Sequence, residues 1–213
     1  MNQRSGISDQ RSAQHPHAGG FPDPAVRFRG FTLIELLVVM GIFLVITGTV
    51  LANHSKFNSS VLLGSLAYNI ALSVREAQVY GLSVQTYRAN FQVGYGIDLS
   101  ARNPNQYILF ADVNADKRYE PDTDSVIQTY AVGGGHTIQR FCGSTASGAT
   151  QCSTGASPID RLDIVFFRPN PDAYISSANP GYYSSGMITV ASGSGEARTV
   201  TVYSTGQISV STQ

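Results

Sequence analysis

Apolar residues dominate one stretch of the chain, from Phe31 to Ala52, in which Glu35 is the one formal charge. A helix rises by about 1.5 Å per residue, so these 22 residues span roughly 30 Å, the thickness of the hydrocarbon core of a bilayer. Because a helix satisfies its own backbone hydrogen bonds in lipid, the stretch predicts a membrane-spanning helix. Arg27 and Arg29 precede it, and basic residues favour the cytoplasmic side. We therefore expect the N-terminus inside and the bulk of the chain outside.

The pattern becomes amphipathic between residues 57 and 80, where apolar side chains recur at the spacing of one helix face. Ser73 and Glu76 are expected to lie away from that face. Gly81 is the expected residue just beyond the helix end, because glycine adopts the left-handed conformation there at little cost. The sequence predicts one helix that continues from the apolar stretch. Its apolar face consists of Leu63, Leu66, Ile70, Val74, Ala77 and Gly81.

Beyond the helix, short runs alternate apolar and polar residues with the period of two that is typical of β-strands. Short connections containing Gly and Ser join the last three runs, which favours an antiparallel meander. The predicted fold class is α+β: a long N-terminal helix, transmembrane in its first half and amphipathic in its second, capped by an antiparallel β-sheet or β-sandwich-like globular head. The predicted strands are residues 91–99, 107–111, 126–131, 136–141, 162–167, 187–191, 198–203 and 207–210.

Residues 1–30 differ in composition from the rest of the chain. They are rich in Gly, Pro, Ser, Gln and His and lack the apolar core of a secretory signal peptide. We expect this segment to be a leader that takes no part in the fold. The remaining 183 residues carry 10 basic and 12 acidic side chains, a net charge of −2, which is no electrostatic footprint for nucleic acid. Their number suffices for one helix and one compact domain.

The carboxylate of Glu35 is costly in an apolar segment and requires a partner. No basic residue occurs within the apolar stretch. A cut between Gly30 and Phe31 would create an α-amino group one helical turn away, on this subunit or on a neighbouring one. Glu35 therefore indicates more than a simple anchor.

The run Gly30-Phe31-Thr-Leu-Ile-Glu35, followed by the apolar helix, resembles the processing site of type IV prepilins and pseudopilins. The resemblance implies cleavage after Gly30 by the prepilin peptidase, N-methylation of Phe31, and pairing of Glu35 with an N-terminal amine during filament assembly. It also implies other pilins or pseudopilins and the inner-membrane assembly platform as partners. The implied location is a single-pass inner-membrane protein with its head in the periplasm or outside the cell, and a filament after assembly. A plain signal anchor with an isolated Glu is the alternative.

The segment from Leu66 to Val84 and the strands after it are similar, more loosely, to the GspH/FimT subfamily of minor pseudopilins and minor pilins. That similarity implies a sandwich-like head packed on the helix. Some pilins of the subfamily bind DNA through basic residues in the C-terminal tail, but no Lys or Arg follows Arg198 here, so nucleic-acid binding through the tail is unsupported. The expected segments are a cleaved leader (1–30), a transmembrane or filament-core helix (31–52), an amphipathic helix (53–82) and a β-rich head (83–213).

Cys142 and Cys152 enclose a loop rich in Ser, Thr, Ala and Gly. Outside the cytoplasm two thiols this close usually pair, so we expect a disulfide. Closing roughly ten residues stabilises a protein by about 2–3 kcal/mol in the chain-entropy model. A metal site at these thiols lacks support, because the chain contains no further Cys and His136 is the nearest His.

Acidic residues cluster between the second and third predicted strands. Asp112, Asn114 and Asp116 match the start of a calcium loop, with oxygen ligands at alternate positions. The sixth position is Lys117 where such a loop turns on Gly, and the twelfth is Thr123 where it has a bidentate Glu. The alternative is a polar hairpin loop whose Asp and Asn side chains cap its own backbone. No cofactor is required by the predicted function, and calcium is the one candidate ion.

Three classes of function are consistent with these features. The main prediction is a structural minor subunit, a pseudopilin or minor pilin, of a type II secretion or type IV pilus filament. The alternative is a filament-tip adhesin or ligand-binding minor pilin, including one for DNA uptake, in which Tyr174, Tyr182 and Tyr183 are expected on the surface. The third class, a membrane-anchored enzyme, lacks a G-x-S-x-G or H-E-x-x-H motif, so we expect no catalytic activity.

Overall fold

The structure, a computed structural model, describes residues 30–83, 92–177, 181–193 and 195–212, and it describes the backbone alone for residues 53–59. All of the predicted leader except Gly30 lies outside these ranges, as does Phe91 of the first predicted strand. The chain divides into two compact units, Met1–Ile46 and Thr47–Gln213.

One long helix, α1 (Leu33–Leu82, 50 residues), contributes to both units. At its start the Thr32 Oγ1 atom accepts a hydrogen bond of 3.2 Å from the backbone N–H of Glu35. A Thr followed three residues later by Glu is the sequence of a capping box, and an acidic side chain in the first turn also complements the positive end of the helix dipole. Local chemistry therefore determines where the helix begins.

The apolar segment of the helix exposes its side chains in every direction. Leu33–Ala52 has a mean hydropathy of 2.5, and none of it is buried. By length and composition it is able to cross a membrane. This finding supports the predicted transmembrane helix.

Within the second unit, α1 buries the apolar face that the sequence predicts. Its fully buried side chains are those of Leu63, Ala67, Ile70, Val74 and Ala77. Ser73 and Glu76, expected away from this face, also contact the sheet. The Ser73 Oγ atom lies 2.9 Å from the hydroxyl of Tyr107, and Glu76 accepts a hydrogen bond of 2.6 Å from the hydroxyl of Tyr130. The buried face is wider than predicted because tyrosine hydroxyls on the strands satisfy these polar side chains.

The helix comes closest to the sheet at Gly81. A Cβ atom at this position would lie 2.5 Å from the carbonyl oxygen of Phe166. The helix continues through Gly81 to Leu82, so Gly81 is not the residue beyond the helix end that the sequence indicated. Its missing side chain instead permits the close contact between backbone and backbone.

Eleven strands follow in the described part of the chain, and they form two sheets. The strand orders are β3-β2-β1-β6-β7-β8 and β11-β10-β9-β4-β5, and all neighbours are antiparallel. An N-terminal helix followed by antiparallel sheets confirms the predicted α+β class. The strands are β1 (Gly94–Ser100), β2 (Gln106–Asp112), β3 (Ser125–Ala131), β4 (His136–Ser144), β5 (Thr150–Cys152), β6 (Arg161–Phe166), β7 (Ala173–Ser176), β8 (Tyr182–Tyr183), β9 (Ser185–Ser192), β10 (Ala197–Tyr203) and β11 (Ile208–Thr212).

A single main core joins the helix to both sheets. Ile70 of the helix, Leu109 and Ile164 of the first sheet, and Val190 and Val200 of the second all belong to it and are fully buried. Two sheets and a helix that share one apolar interior form the sandwich-like head that was expected.

Three short strands were not predicted from the sequence. In addition, some strands that pair in the sheets are farther apart in the sequence than they would be in a meander. The strands β5, β7 and β8 contain three, four and two residues, too few to show a period. The meander is confirmed for β9, β10 and β11. However, β4 pairs with β9 and β1 pairs with β6, so each sheet combines segments that are distant in the sequence. Contacts across the core decide such pairings, and no local pattern encodes them.

Candidate functional site

The predicted cleavage point lies in an exposed segment ahead of the helix. Gly30 and Phe31 precede the helix start at Leu33, and the Phe31 side chain is 82% exposed. Apart from its chain neighbours, no described residue has an atom within 4 Å of a Cβ atom placed on Gly30. The described part of the fold therefore places no demand for glycine at this position.

Glu35 is exposed in the first turn of α1, among exposed apolar side chains. Among the residues that the structure describes, its carboxylate has no salt-bridge partner. This arrangement fits the expected pairing with an N-terminal amine, which stays a prediction.

Three carboxylates lie close together where β2 ends. One belongs to the last residue of β2, and the other two belong to the connection between β2 and β3, residues 113–124. Oxygen atoms of Asp112, Asp116 and Asp124 all lie within 4.8 Å of one another. Asp112 is fully buried, Asp124 is 9% exposed, and Asp116 is exposed. Two of the three residues predicted as calcium ligands are thus close together, and Asp124 joins them.

Backbone N–H groups of this loop bind several of the side-chain oxygens. Asp124 accepts two hydrogen bonds, from Val113 at 2.9 Å and from Glu120 at 2.8 Å. The side-chain oxygen of Asn114 accepts one of 3.2 Å from the N–H of Asp116, which is an Asx turn. The loop therefore has the backbone expected of a polar hairpin loop capped by its own Asp and Asn side chains. Such capping neither requires nor prevents ion binding.

Asp112 differs from its neighbours because one of its oxygen atoms lacks a partner. Its Oδ2 atom accepts a hydrogen bond of 2.8 Å from the N–H of Lys117, whereas its Oδ1 atom is buried and meets no donor in the described part of the chain. Burial is the main reason why the pKa of Asp112 is raised to about 6, and the charges of Asp124 and Asp116 add to the increase. A buried carboxylate oxygen without a partner is energetically costly.

Lys117 is the sixth residue counted from Asp112, the position at which a calcium loop turns on glycine. Its φ angle is 70°, in the left-handed region that residues other than glycine rarely adopt. The chain therefore makes the turn at the expected position with a lysine. The absence of glycine at this position therefore does not prevent the turn of a calcium loop.

The loop packs against the outer surface of the first sheet. Arg161 donates a hydrogen bond to the carbonyl oxygen of Tyr119, and Ser176 donates one of 3.0 Å to the carbonyl oxygen of Lys117. The ring of Tyr119 lies 5.1 Å from that of Phe110. These contacts attach the loop to β2, β6 and β7.

Two further aspartates are buried on the same sheet. Asp98 and Asp163 are directly opposite each other on β1 and β6, and Arg161 forms a salt bridge of 2.8 Å with Asp98. Neither oxygen of Asp163 has a hydrogen-bond partner within the described residues. Burial and the nearby charge of Asp98 raise the pKa of Asp163 well above its ordinary value. The polar face of β1, which its alternation would leave in solvent, is therefore buried under the loop.

Cys142 and Cys152 form the disulfide that the sequence predicts. They are directly opposite each other on β4 and β5, with their Cα atoms 3.9 Å apart. The bond holds β5, the edge strand of the second sheet, on β4.

The three tyrosines expected on the surface have different environments. Tyr182 is 56% exposed and Tyr174 is half-buried. The expectation is wrong for Tyr183, which is 7% exposed and donates a hydrogen bond of 2.7 Å to the side chain of Gln151. Neighbouring residues of a strand point to opposite faces, so only one residue of this pair reaches solvent.

The sequence argument missed Asp124 as a neighbour of Asp112. The signal was present, because a carboxylate stands one position after the twelfth place of the calcium-loop pattern. The cluster of the buried Asp98 and Asp163 with Arg161 was not predicted either, and no local signal was available, because their strands pair across a long sequence separation.

Comparison with known proteins gives matches for part of the chain. Residues 26–51 match the family model described as the prokaryotic N-terminal methylation motif. Over 93 residues the chain is 34% identical to the pilin-like protein PilA1 of Thermus thermophilus, a match that covers 44% of this chain and 54% of that protein. The chain thus spans about half the length of this curated relative. No solved structure matches the chain significantly.

The chain is therefore similar, over part of its length, to a pilin-like protein, and it carries a match to the N-terminal methylation motif. These matches do not distinguish a subfamily, so the GspH/FimT subtype stays a prediction.

Proposed function

We propose that this chain is a minor subunit, a pseudopilin or minor pilin, of a type II secretion or type IV pilus filament. The observation that carries the proposal is the motif from Gly30 to Glu35, which runs into the apolar helix segment Leu33–Ala52, of which nothing is buried. Such a surface requires lipid before assembly and apolar helices around it afterwards. A helical filament core provides the second environment.

Processing and assembly are linked through one charge. Removal of the leader after Gly30 exposes the α-amino group of Phe31, which is the expected site of N-methylation. The carboxylate of Glu35 pairs with such an amine on a neighbouring subunit, which offsets the cost of holding that carboxylate in an apolar environment. The pair thereby favours the filament over the isolated subunit in the membrane.

The second half of the helix offers a further surface for neighbouring pilins. Val61, Tyr68, Leu72 and Val79 are between 54% and 64% exposed. Their spacings of seven, four and seven residues place them on one face of a helix, separate from the buried face. In the proposed filament, helices of adjacent subunits cover this stripe.

The disulfide indicates the cellular compartment of the head. A disulfide forms and persists in oxidising surroundings, so a head with the Cys142–Cys152 bond belongs outside the cytoplasm. We place the chain in the inner membrane with its head in the periplasm, where the assembly platform transfers it into the filament. It acts by polymerising and not by catalysis.

Mass spectrometry of the membrane-extracted protein tests the proposed processing. Cells that contain a prepilin peptidase should yield a mature chain beginning with N-methylated Phe31, and cells without the peptidase should yield the intact precursor. Gly30→Leu should leave the leader attached, and because no atom of the described residues beyond its chain neighbours lies near a Cβ atom at this position, the substitution should not disturb the fold. An intact leader on the wild-type protein, or a cut elsewhere, would contradict the proposal.

A further inference from the structure

We propose that the head binds one calcium ion through the carboxylates of Asp112, Asp116 and Asp124. The three side chains come from the end of β2 and from the loop that joins β2 to β3. The proposal concerns a site distant in sequence from the processing motif and does not depend on filament assembly.

The spacing of the three carboxylates suits one calcium ion. Their oxygen atoms lie within 4.8 Å of one another. Calcium binds oxygen at 2.3–2.6 Å, so two ligands on opposite sides of the ion are separated by about 5 Å or less. Carboxylate oxygens are the ligands that calcium prefers, and its flexible coordination tolerates an irregular loop, whereas magnesium demands near-ideal octahedral geometry.

The buried oxygen of Asp112 is the independent observation that points to a cation. The side chain is fully buried, and its Oδ1 atom has no hydrogen-bond donor within the described residues. Buried polar atoms nearly always have a partner, so this atom requires an explanation. A cation held between Asp112 and the two other aspartates would supply the partner and compensate the charge.

Nearby basic side chains do not perform this role. Among the residues that the structure describes, none forms a salt bridge with the three carboxylates, and Arg161 pairs with Asp98 instead. The Nζ atom of Lys117 lies 4.1 Å from the centre of the Tyr174 ring, in a cation–π contact. The cluster therefore holds three acidic groups without a protein cation.

Water molecules and loop carbonyl groups would complete the coordination. Asn114 remains a further candidate, because its side-chain oxygen accepts one hydrogen bond and retains a second lone pair. With three carboxylates and no bidentate Glu at the twelfth position, we expect a dissociation constant of about 0.1–1 mM, in the range of extracellular calcium modules. An ion held here would fix the loop on the sheet and make the stability of the head depend on extracellular calcium.

Thermal unfolding of the full chain in detergent, after treatment with a chelator, tests the site. Calcium at a hundredfold excess over the dissociation constant should raise the melting temperature by about 5–10 °C. Calorimetric titration should give one ion per chain. Magnesium at equal ionic strength should produce a much smaller shift.

Three Asp-to-Asn variants separate a bound ion from general screening of the loop. Asp112→Asn keeps an oxygen to accept the Lys117 hydrogen bond, and Asp116→Asn alters an exposed side chain, so both should fold without calcium. Asp112→Asn should abolish the calcium-induced shift, and Asp116→Asn should weaken calcium binding at least tenfold. Asp122→Asn removes the same charge from the same loop but outside the cluster, and should bind calcium within twofold of the wild type.

A melting temperature that stays constant up to about 10 mM calcium would overturn the proposal. Equal shifts with calcium and magnesium would do the same, as would an equal loss of response in Asp112→Asn and Asp122→Asn. If Asp112→Asn and Asp116→Asn both bind calcium like the wild type, the ion lies elsewhere and the proposal is wrong.

Discussion

At the scale of single residues, Gly81 and Asp163 acquire their roles from atoms that are remote in the sequence. Gly81 lies within the helix, where glycine is usually unfavourable, yet it faces the backbone of Phe166. Asp163 lies within a strand and is fully buried opposite Asp98. A glycine within a helix and a buried aspartate within a strand each lower the stability of the fold when considered alone. The residue packed against each one explains why it occurs there.

Gly81→Ala should destabilise the head by about 1–3 kcal/mol, because the added methyl group would lie 2.5 Å from a carbonyl oxygen of the sheet and force the helix away. Gly64→Ala is the matched control in the same helix. Apart from the helix's own nearby backbone, no described residue has an atom within 4 Å of a Cβ atom there, so helix propensity alone should stabilise the variant by up to about 1 kcal/mol. Urea-induced unfolding measures both. Stabilisation by both substitutions would show that the close contact at Gly81 is not present.

Asp163→Asn should stabilise the protein at neutral pH and not at low pH. Burial raises the pKa of Asp163 well above its ordinary value of 3.8, so the folded protein binds this proton more tightly than the unfolded chain does. Its contribution therefore favours folding below pH 3.8 and is lost as the pH rises through the higher folded pKa. The asparagine variant removes that loss.

The measurement is the free energy of unfolding of the variant and the wild type between pH 4 and pH 8. The difference between them should grow with pH. Asp160→Asn, an exposed neighbour with the same change in charge, should show a much smaller dependence. A variant that is less stable than the wild type by the same amount at every pH would contradict the prediction.

At the scale of elements, two connections between strands are fixed by different means. The loop of residues 113–124 is held by its own aspartates and by contacts with the sheet, and it buries the polar face of β1. The connection between β4 and β5 is mostly exposed and rich in small residues, and the disulfide closes it. An edge strand of three residues contributes few backbone hydrogen bonds, and the covalent bond adds to this attachment.

Replacing both Cys142 and Cys152 by Ser should lower the free energy of unfolding by about 2–3 kcal/mol, since the unfolded chain regains the entropy of an open loop of about ten residues. Limited proteolysis of the variant should cut first between residues 143 and 151. Serine-to-alanine substitution at exposed Ser147 is the control and should change neither property. Unchanged stability of the double variant would mean that β5 is held without the bond.

At the scale of the whole molecule, the chain combines an apolar helix segment that buries nothing with a head that has its own core. The apolar segment Leu33–Ala52 requires lipid or other helices around it, whereas the head packs its core from its own residues. In the proposed filament this segment contacts neighbouring subunits, and Glu35 is its one charged group.

Glu35→Leu should leave the amount of protein in the membrane unchanged and reduce its incorporation into filaments by tenfold or more. The leucine removes the carboxylate that, in the proposed filament, pairs with the α-amino group of a neighbouring subunit. Glu35→Gln separates charge from helix capping, because Gln also serves at the third position of a capping box. Both variants should fail alike, as measured by filament shearing and by immunoblotting of membranes. Normal assembly of Glu35→Gln would show that the charge is dispensable.

The sequence by itself determined the features that local chemistry controls. The apolar stretch, the capping sequence at Thr32 and the amphipathic face from Leu63 to Ala77 all depend on residues within a few turns of helix. The same holds for eight strands, whose alternation repeats over enough residues to be visible. The proposed processing motif is equally local, since it occupies one short segment of the chain.

Only the tertiary structure decided which strands pair and what the polar residues contact. The pairing of β1 with β6 brings the buried Asp98 and Asp163 together with the partly exposed Arg161, and the loop after β2 brings Asp124 to Asp112. The tertiary structure also showed that Gly81 permits a close contact with the sheet and does not end the helix. The physical reason is that these contacts join residues far apart in the chain, whose proximity results from packing one core between two sheets and a helix.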